Sequence, residues 1–262
     1  MQDRYPDDVG QFVKVALLSR LVSMSPHGLG HRLGVIWLQE PGGCHRLDGD
    51  HLAYLHSTPD ADDQLRALDP DLYDQLRVMA ARAGRPLSVR ETYRALPTDI
   101  VRFDRPLRFD DRAPDPADGR QRWFHDARVT VSPCSLVFLD SDNGVGSDAV
   151  RLPSGQAAEC GFTMSEIAQL VERGHSVVTH QLLHPSQAAS RVAMTRMSAI
   201  HDALGIEPTT VTHESLSGER LFTVIAHHRH RADLEDRIGA LALSRLGGEF
   251  HVHRWRTELL SA

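Results

Sequence analysis

Three polar side chains follow directly after an uncharged, apolar segment in the middle of the chain. Residues 135–139 form the segment, and Asp140, Asp142 and Asn143 come next, with two glycines close behind. Such a run is typical of a strand buried on both faces of a sheet. Ligands of open α/β sheets bind just beyond the carboxyl ends of such strands. A carboxylate there is able to accept hydrogen bonds from an amine, hold a metal ion or act as a general base. Asp, Asn and Gly are also ordinary turn residues.

A histidine ends another predicted strand. Residues 176–181 have the apolar, β-branched character of a strand, and His180 lies at its end. An imidazole in the same crevice as Asp140 would serve as a general acid, a general base or a ligand. A surface histidine is an equally good interpretation.

A polar segment after the first predicted strand holds two histidines and two aspartates within seven residues: His45, Asp48, Asp50 and His51. A turn with Asp48 and Gly49 at its tip is the simpler interpretation. Histidine and aspartate are nevertheless ligands for Zn, Mn or Fe. The sequence therefore leaves open a divalent-metal site of a hydrolase or nuclease, with the ligands Asp48, His51, Asp140, Asp142 and His180.

Lys14 is the single lysine among 29 basic residues. Its presence is a small indication that position 14 needs a compact ammonium rather than a planar guanidinium. Survival by chance explains the same observation equally well.

Strands alternate with helices along the chain, which predicts a mainly parallel sheet covered by helices on both faces. The strands are expected at residues 33–39, 98–104, 135–140 and 176–181, with later β segments at one edge. A tight link between two of those later segments favours an antiparallel edge. We expect a single α/β domain over residues 1–262, with a mobile loop at about 110–120, where Asp, Pro and Gly dominate. Trp37, inside the first strand, is predicted to be structural.

Composition narrows the functional classes. The net charge is −6, which argues against binding duplex nucleic acid through a broadly basic surface. A basic patch at 226–231 would bind phosphate only if it faced the crevice. No apolar run is long enough for a bilayer, the amino terminus has no export signal, and three widely spaced cysteines fit a reducing compartment. We therefore expect a cytoplasmic protein without membrane partners.

Residues 136–144, Leu-Val-Phe-Leu-Asp-Ser-Asp-Asn-Gly, resemble the fourth motif of amino-group methyltransferases. That motif is usually Asp or Asn followed by two prolines and an aromatic residue. The segment is closer to an uncharacterised bacterial family with Asp-Pro-Asp-Asn-Gly at this place, whose amino terminus is also similar to residues 1–18. Residues 1–18 further resemble the bacterial 23S ribosomal-RNA adenine-N6 methyltransferases, in which such a segment, with a lysine, borders the S-adenosylmethionine pocket.

The resemblance implies a single three-layer, Rossmann-like domain of the methyltransferase type, whose sheet ends in a reversed strand pair. It implies S-adenosylmethionine as cofactor, with Asp8 and Lys14 at its pocket, and we place Asp48 and Gly49 there as well. Asp140 would hold the amine that accepts the methyl group. Asp142, Asn143 and His180 would complete the catalytic set.

Two departures from the methyltransferase pattern leave the acceptor open. Ser141, Asp142 and Asn143 stand where the family has two prolines and the aromatic that stacks a flipped base. Gly42 and Gly43 are the only glycines directly after the first strand, short of the usual glycine-rich loop. The acceptor is therefore either a nucleobase or a small molecule. The metal-dependent hydrolase or nuclease remains one alternative, and a non-catalytic binding module on the same fold is another.

Overall fold

The structure is a computed structural model. It describes residues 9–24, 30–38, 65–85, 87–107, 116–141, 144–146, 161–184, 186–215 and 218–255. Among these residues, no helix combines the length and the apolar character that crossing a bilayer requires.

The protein is an α/β protein built on a seven-stranded sheet. Its strands are β1 (Leu33–Trp37), β2 (Ile100–Phe103), β3 (Leu136–Asp140), β6 (Ser176–Leu182), β7 (Thr209–Ser215), β8 (Gly218–Ile225) and β9 (Phe250–Arg254), in the spatial order β2-β1-β3-β6-β8-β7-β9. A small parallel pair, β4 (Val145–Gly146) and β5 (Phe162–Thr163), forms a second sheet.

Strand directions follow the predicted division into a parallel part and an antiparallel edge. β2, β1, β3 and β6 are parallel neighbours. β8 is antiparallel to both β6 and β7, so β7 runs in the direction of the first four strands. β9 then pairs antiparallel with β7. The β segments predicted near the end of the chain are thus confirmed as an antiparallel edge.

Helices cover both faces of the sheet. The helices are α1 (Val9–Val22), α2 (Pro70–Ala83), α3 (Val89–Thr92), α4 (Pro116–Val131), α5 (Met164–Glu172), α6 (Ala189–Leu204) and α7 (Arg231–Ala242). A first apolar cluster joins α1, α2 and α7 to one sheet face, and a second joins α4, α5 and α6 to the other. Because β3 contributes alternate residues to both clusters, all five of its residues are buried.

Local capping interactions define the ends of several helices. The Asp69 carboxylate accepts a hydrogen bond from the Leu72 amide at 3.2 Å at the start of α2, and Gly84 ends that helix with φ 62°. Thr163 and Glu166 form a reciprocal capping box at the start of α5. Gly205 ends α6 with φ 65°.

The loop predicted at 110–120 is wrong for residues 116–120, which are the first residues of α4. Pro116 and Asp118 suit a loop by composition, but proline in the first turn and an acid near the positive helix terminus also favour a helix start. Arg120 fixes this end of α4, because its guanidinium pairs with Glu166 at 2.8 Å and donates to the Gly161 carbonyl. Residues 110–115 lie outside the described part of the chain.

Candidate functional site

Asp140 is the last residue of β3, the central strand of the parallel part, and its side chain is fully buried. Leu136 and Phe138 of the same strand belong to the first apolar cluster. Because side chains alternate along a strand, Asp140 also faces this layer, between the sheet and α1. The carboxylate therefore lies at the end of an otherwise apolar layer.

Both carboxylate oxygens of Asp140 accept hydrogen bonds from residues distant in sequence. The Lys14 ammonium, on α1, lies 3.0 Å from Oδ1, and the Tyr93 hydroxyl donates to Oδ2 at 2.6 Å. Tyr93 begins the 3₁₀ turn that follows α3. The sequence predicts Asp140 in a ligand-binding crevice beyond the strand ends, whereas in the structure Lys14 and Tyr93 cover its carboxylate. Each carboxylate oxygen still has a second lone pair for a further donor.

Lys14 is as deeply buried as the carboxylate that it contacts. Its side chain is 2% exposed, and the ammonium lies 5.9 Å from the centre of the Phe138 ring. Most of α1 is apolar and inside the protein, so the helix presents one charged group directly to the sheet. A buried ammonium needs a close counter-charge, because desolvating an ion costs several kcal/mol. The Asp140 carboxylate supplies it.

His180 lies beside Asp140 on the neighbouring strand β6. Its Nδ1 is 3.9 Å from Asp140 Oδ1, and its side chain is 1% exposed. Burial, followed by the positive charges of Lys14 and Arg220, holds the pKa of His180 well below its usual value. The Ser141 carbonyl opposes this shift, but neither ring nitrogen makes a hydrogen bond of acceptable geometry with the described residues. His180 is therefore a neutral imidazole at physiological pH.

Arg220 brings a second cation to this layer from β8. It is 7% exposed and pairs in the sheet with Leu182, two residues beyond His180. Its guanidinium lies against the start of α1, since a Cβ added to Gly10 would come within 1.9 Å of it. Gly10 therefore leaves the space that the guanidinium occupies.

Trp37 occupies the equivalent position on the other side of Asp140. The two residues are register partners in the β1–β3 ladder, and Trp37 is 2% exposed in the first apolar cluster. The Arg90 guanidinium lies 4.9 Å from the centre of its ring. Trp37 Nε1 is buried without a hydrogen-bond partner among the described residues. Trp37 and Asp140 thus end β1 and β3 side by side, and His180 lies next to them, two residues before the end of β6.

Gly144, four residues after Asp140, packs closely against Gln181 of β6. Gly144 has φ 64°, as the Asn-Gly pair predicts, and a Cβ there would lie 2.7 Å from Gln181 Cβ. Arg196 on α6 donates to the Gln181 side chain at 3.0 Å and to the Val145 carbonyl at 2.7 Å. Gly144 and Val145 are thereby held against the end of β6.

Tyr93 also forms part of the wall of a surface cavity of about 600 Å³. The cavity lies beside the edge strand β2 and includes the residues just before that strand: Arg94, Leu96, Pro97, Thr98, Asp99, Ile100 and Arg102. The cavity therefore lies mainly at the amino-terminal end of β2. Asp140 lies at the carboxyl end of β3, which runs in the same direction, so the cavity is towards the opposite end of these strands.

The structure brings together three of the predicted site residues: Lys14, Asp140 and His180. Six others lie outside the described residues: Asp8, Asp48, Gly49, His51, Asp142 and Asn143. Of the proposed metal ligands, the structure thus describes Asp140 and His180. Within the described part of the chain, no group of three or more His, Cys, Asp or Glu side chains is arranged to hold a metal ion.

The basic segment at 226–231 faces away from this site. It follows β8, whose last residue, Ile225, pairs with Val177 near the start of β6. His230 hydrogen-bonds Ser176 there at 3.0 Å. Because His180 is near the other end of β6, the segment does not supply a phosphate patch for the crevice.

Sequence reasoning missed Tyr93 and Arg220, and it treated Trp37 as structural. Neither Tyr93 nor Arg220 belongs to a recognisable motif, and each reaches the site only through the tertiary fold. The first strand was predicted to continue to residue 39, whereas β1 ends at Trp37, in the same way as β3 ends at Asp140.

Comparison with known proteins adds little to this geometry. No protein family and no curated protein sequence matches the chain. Among solved structures, a crystal structure of protein LPL1258 from Legionella pneumophila str. Philadelphia 1, described under the family-model DUF519, has 7% sequence identity to this chain. The alignment covers 97% of each chain, with a TM-score of 0.39. A likeness of that degree carries no argument about fold or activity.

Proposed function

We propose that this protein is a methyltransferase-like enzyme that uses S-adenosylmethionine and acts on an amine acceptor held at Asp140. The observation that carries the proposal is the 3.0 Å contact between Lys14 and Asp140. These residues belong to the two segments with the clearest resemblance to amino-group methyltransferases. The contact joins them at the carboxyl end of a central parallel strand, where ligands of open α/β sheets bind.

The sheet topology supports the same proposal. The methyltransferase sheet ends in a reversed strand pair, and here β8 lies antiparallel between β6 and β7. The proposal therefore includes a Rossmann-like, methyltransferase type of α/β fold, which this strand order supports. Fold does not determine chemistry, so the side chains at Asp140 must carry the functional argument.

The described residues fit a bound polar ligand in one respect. Trp37 and His180, on either side of Asp140, both have buried nitrogen atoms without hydrogen-bond partners among those residues. Lys14 is the described member of the expected cofactor-binding set. When bound, S-adenosylmethionine would supply an electrophilic methyl group.

In this proposal the protein contributes to the reaction by positioning the amine acceptor. Lys14 and Tyr93 fix the Asp140 carboxylate, whose remaining lone pairs accept hydrogen bonds from the N–H groups of the acceptor. Such bonds orient the nitrogen lone pair for in-line attack, and a reaction of this kind is accelerated mainly by proximity and alignment. Neutral His180 adds no charge beside the acceptor.

We favour methyl transfer over metal-dependent hydrolysis because of the charge around Asp140. The Lys14 ammonium already lies 3.0 Å from Oδ1, and its charge would repel a divalent cation bound to the same carboxylate. The acceptor remains a nucleobase or a small molecule.

Calorimetry with S-adenosylmethionine, and separately with Mn²⁺, tests the proposal. We expect the wild-type protein to bind S-adenosylmethionine and to transfer a labelled methyl group to a component of a panel of RNA, nucleosides and small amines. Asp140→Asn should lower transfer about a hundredfold through misplacement of the acceptor. Asp74→Asn, which breaks an exposed ion pair with Arg66, is the matched control and should leave transfer unchanged.

A second variant guards against loss of folding in Asp140→Asn. Tyr93→Phe removes one hydrogen bond to the carboxylate while keeping the ring, so a folded protein with reduced transfer is expected. If S-adenosylmethionine gives no heat and Mn²⁺ binds tightly in an Asp140-dependent manner, the proposal is wrong. If neither binds, the non-catalytic module is the better interpretation.

A further inference from the structure

Two buried polar side chains flank Asp140 without satisfying their hydrogen-bonding groups. Trp37 and His180 are 2% and 1% exposed, and Trp37 Nε1 and both His180 ring nitrogens make no hydrogen bond within the described ranges. Most buried polar atoms in proteins have a partner, so each exception needs an explanation. Two exceptions on opposite sides of one carboxylate point to a common cause.

The three side chains form a continuous strip on one face of the sheet. Trp37 pairs with Asp140 in the β1–β3 ladder, and His180 follows Thr179, the partner of Leu139 in the β3–β6 ladder. Neighbouring strands are about 4.8 Å apart, so the strip is about 10 Å wide. This is the width of a small planar ligand group.

Electrostatics restrict what the strip is able to bind. Lys14 and Arg220 both disfavour a positive charge at the His180 ring, and burial disfavours any charge there. Trp37 Nε1 is a hydrogen-bond donor only, a neutral imidazole has one donor and one acceptor, and a carboxylate accepts. The complementary group is therefore uncharged and has both hydrogen-bond acceptors and donors.

We propose that Trp37 and His180 are ligand-contacting residues, and that together with Asp140 they bind an uncharged polar group of the ligand. Trp37 donates a hydrogen bond from Nε1, and His180 takes part as a neutral imidazole. The inference rests on the proposed function only for the choice of S-adenosylmethionine as the first probe.

The indole N–H resonances of the three tryptophans give a direct readout. Trp37→Phe identifies the resonance of Trp37 and removes its donor. Trp123→Phe is the matched control, because Trp123 Nε1 already donates to the Arg105 carbonyl at 2.7 Å. We expect S-adenosylmethionine to shift the Trp37 resonance, and Trp37→Phe to weaken its binding about tenfold while Trp123→Phe leaves the affinity unchanged.

His180→Leu separates a ligand-binding role from a structural one. Removal of two unsatisfied buried nitrogens should maintain or raise the melting temperature of the ligand-free protein, while ligand binding weakens. A lower melting temperature with unchanged affinity would show that His180 is structural, and it would overturn the inference for this residue.

Adenosine, which is uncharged, and spermidine, which is polycationic, are two further probes. If S-adenosylmethionine gives no heat but adenosine shifts the Trp37 resonance, the inference stands and the proposed function fails. If S-adenosylmethionine binds without a shift and Trp37→Phe leaves its affinity unchanged, the inference is overturned and the proposed function stands. A larger shift with spermidine than with adenosine would overturn the assignment of an uncharged group, and no shift with any probe would overturn the whole inference.

Discussion

Removal of the charge on Asp140 should destabilise the protein far more than removal of an exposed carboxylate. Asp140 and Lys14 are 0% and 2% exposed, with a 3.0 Å separation, whereas Asp74 and Arg66 are 51% and 55% exposed at 2.8 Å. Asp140→Asn and Asp74→Asn are therefore the same substitution in ion pairs of similar length and very different burial.

The expected magnitudes follow from that burial. Asp140→Asn removes a counter-charge from the buried Lys14 ammonium, which costs about 3–5 kcal/mol of the free energy of unfolding. Asp74→Asn should cost less than about 1 kcal/mol. For a chain of this size, each kcal/mol corresponds to about 2–4 °C in melting temperature.

Urea denaturation of the two variants measures this difference, and a double variant identifies its source. Lys14→Met combined with Asp140→Leu removes both charges, and apolar replacement of a buried ion pair is often neutral or stabilising. Tyr93 then loses its hydrogen bond to Asp140, at a cost of about 1–3 kcal/mol, so recovery should be partial. If the double variant is as unstable as the sum of the single changes, or if Asp140→Asn and Asp74→Asn are equally mild, the assignment of a buried ion pair is refuted.

Two further predictions concern the same end of the sheet. The pKa of His180 is held well below its usual value in the folded protein, so His180 binds a proton more readily in the unfolded chain. The stability that neutral His180 contributes is therefore complete above pH 6.5 and is lost progressively as the pH falls towards its folded-state pKa. His180→Gln should therefore make the decline in the free energy of unfolding between pH 6.5 and 5 shallower by about 1.4 kcal/mol per pH unit. His125→Gln, at an exposed position, is the control and should give the same curve as the wild-type protein. Equal slopes for the wild-type protein and both variants would contradict a neutral buried His180. Gly144→Ala and Gly205→Ala both place a side chain at φ near 65°, but an added Cβ meets Gln181 at 2.7 Å at the first position and open space at the second. Thermal melts should show that Gly205→Ala lowers the free energy of unfolding by about 1–2 kcal/mol and that Gly144→Ala lowers it by about 1–3 kcal/mol more. Equal losses would show that Gly144 is not packed on β6.

Much of the fold was predictable because its signals are local. An uncharged run of residues indicated β3, and the structure buries all five of its residues between helices. Asp69 and Gly84 marked the ends of α2 through a cap and a left-handed residue. The loop predicted at 110–120 failed over residues 116–120 because proline and aspartate favour both loops and helix starts.

The site was predictable only in part, since its contacts are not local. Lys14 was singled out as a lone lysine, but nothing in the sequence specifies a 3.0 Å contact with a residue 126 positions away. Tyr93 and Arg220 reach the same layer from a 3₁₀ turn and from an antiparallel strand. Their presence there depends on the register of the whole sheet, which no short motif encodes.

The polar strip at the ends of the central strands is difficult to explain by stability alone. Trp37, Asp140 and His180 adjoin an apolar layer, but their hydrogen bonding differs. Lys14 and Tyr93 donate hydrogen bonds to the Asp140 carboxylate. The side-chain nitrogens of Trp37 and His180 have no hydrogen-bond partner among the described residues. Apolar side chains would fill these positions at lower energetic cost, because burying an unsatisfied polar atom costs about 1–3 kcal/mol. Violations of local packing rules concentrate at functional sites. The unsatisfied nitrogens, more than the ion pair that they flank, are therefore the reason to expect a ligand at this edge of the sheet.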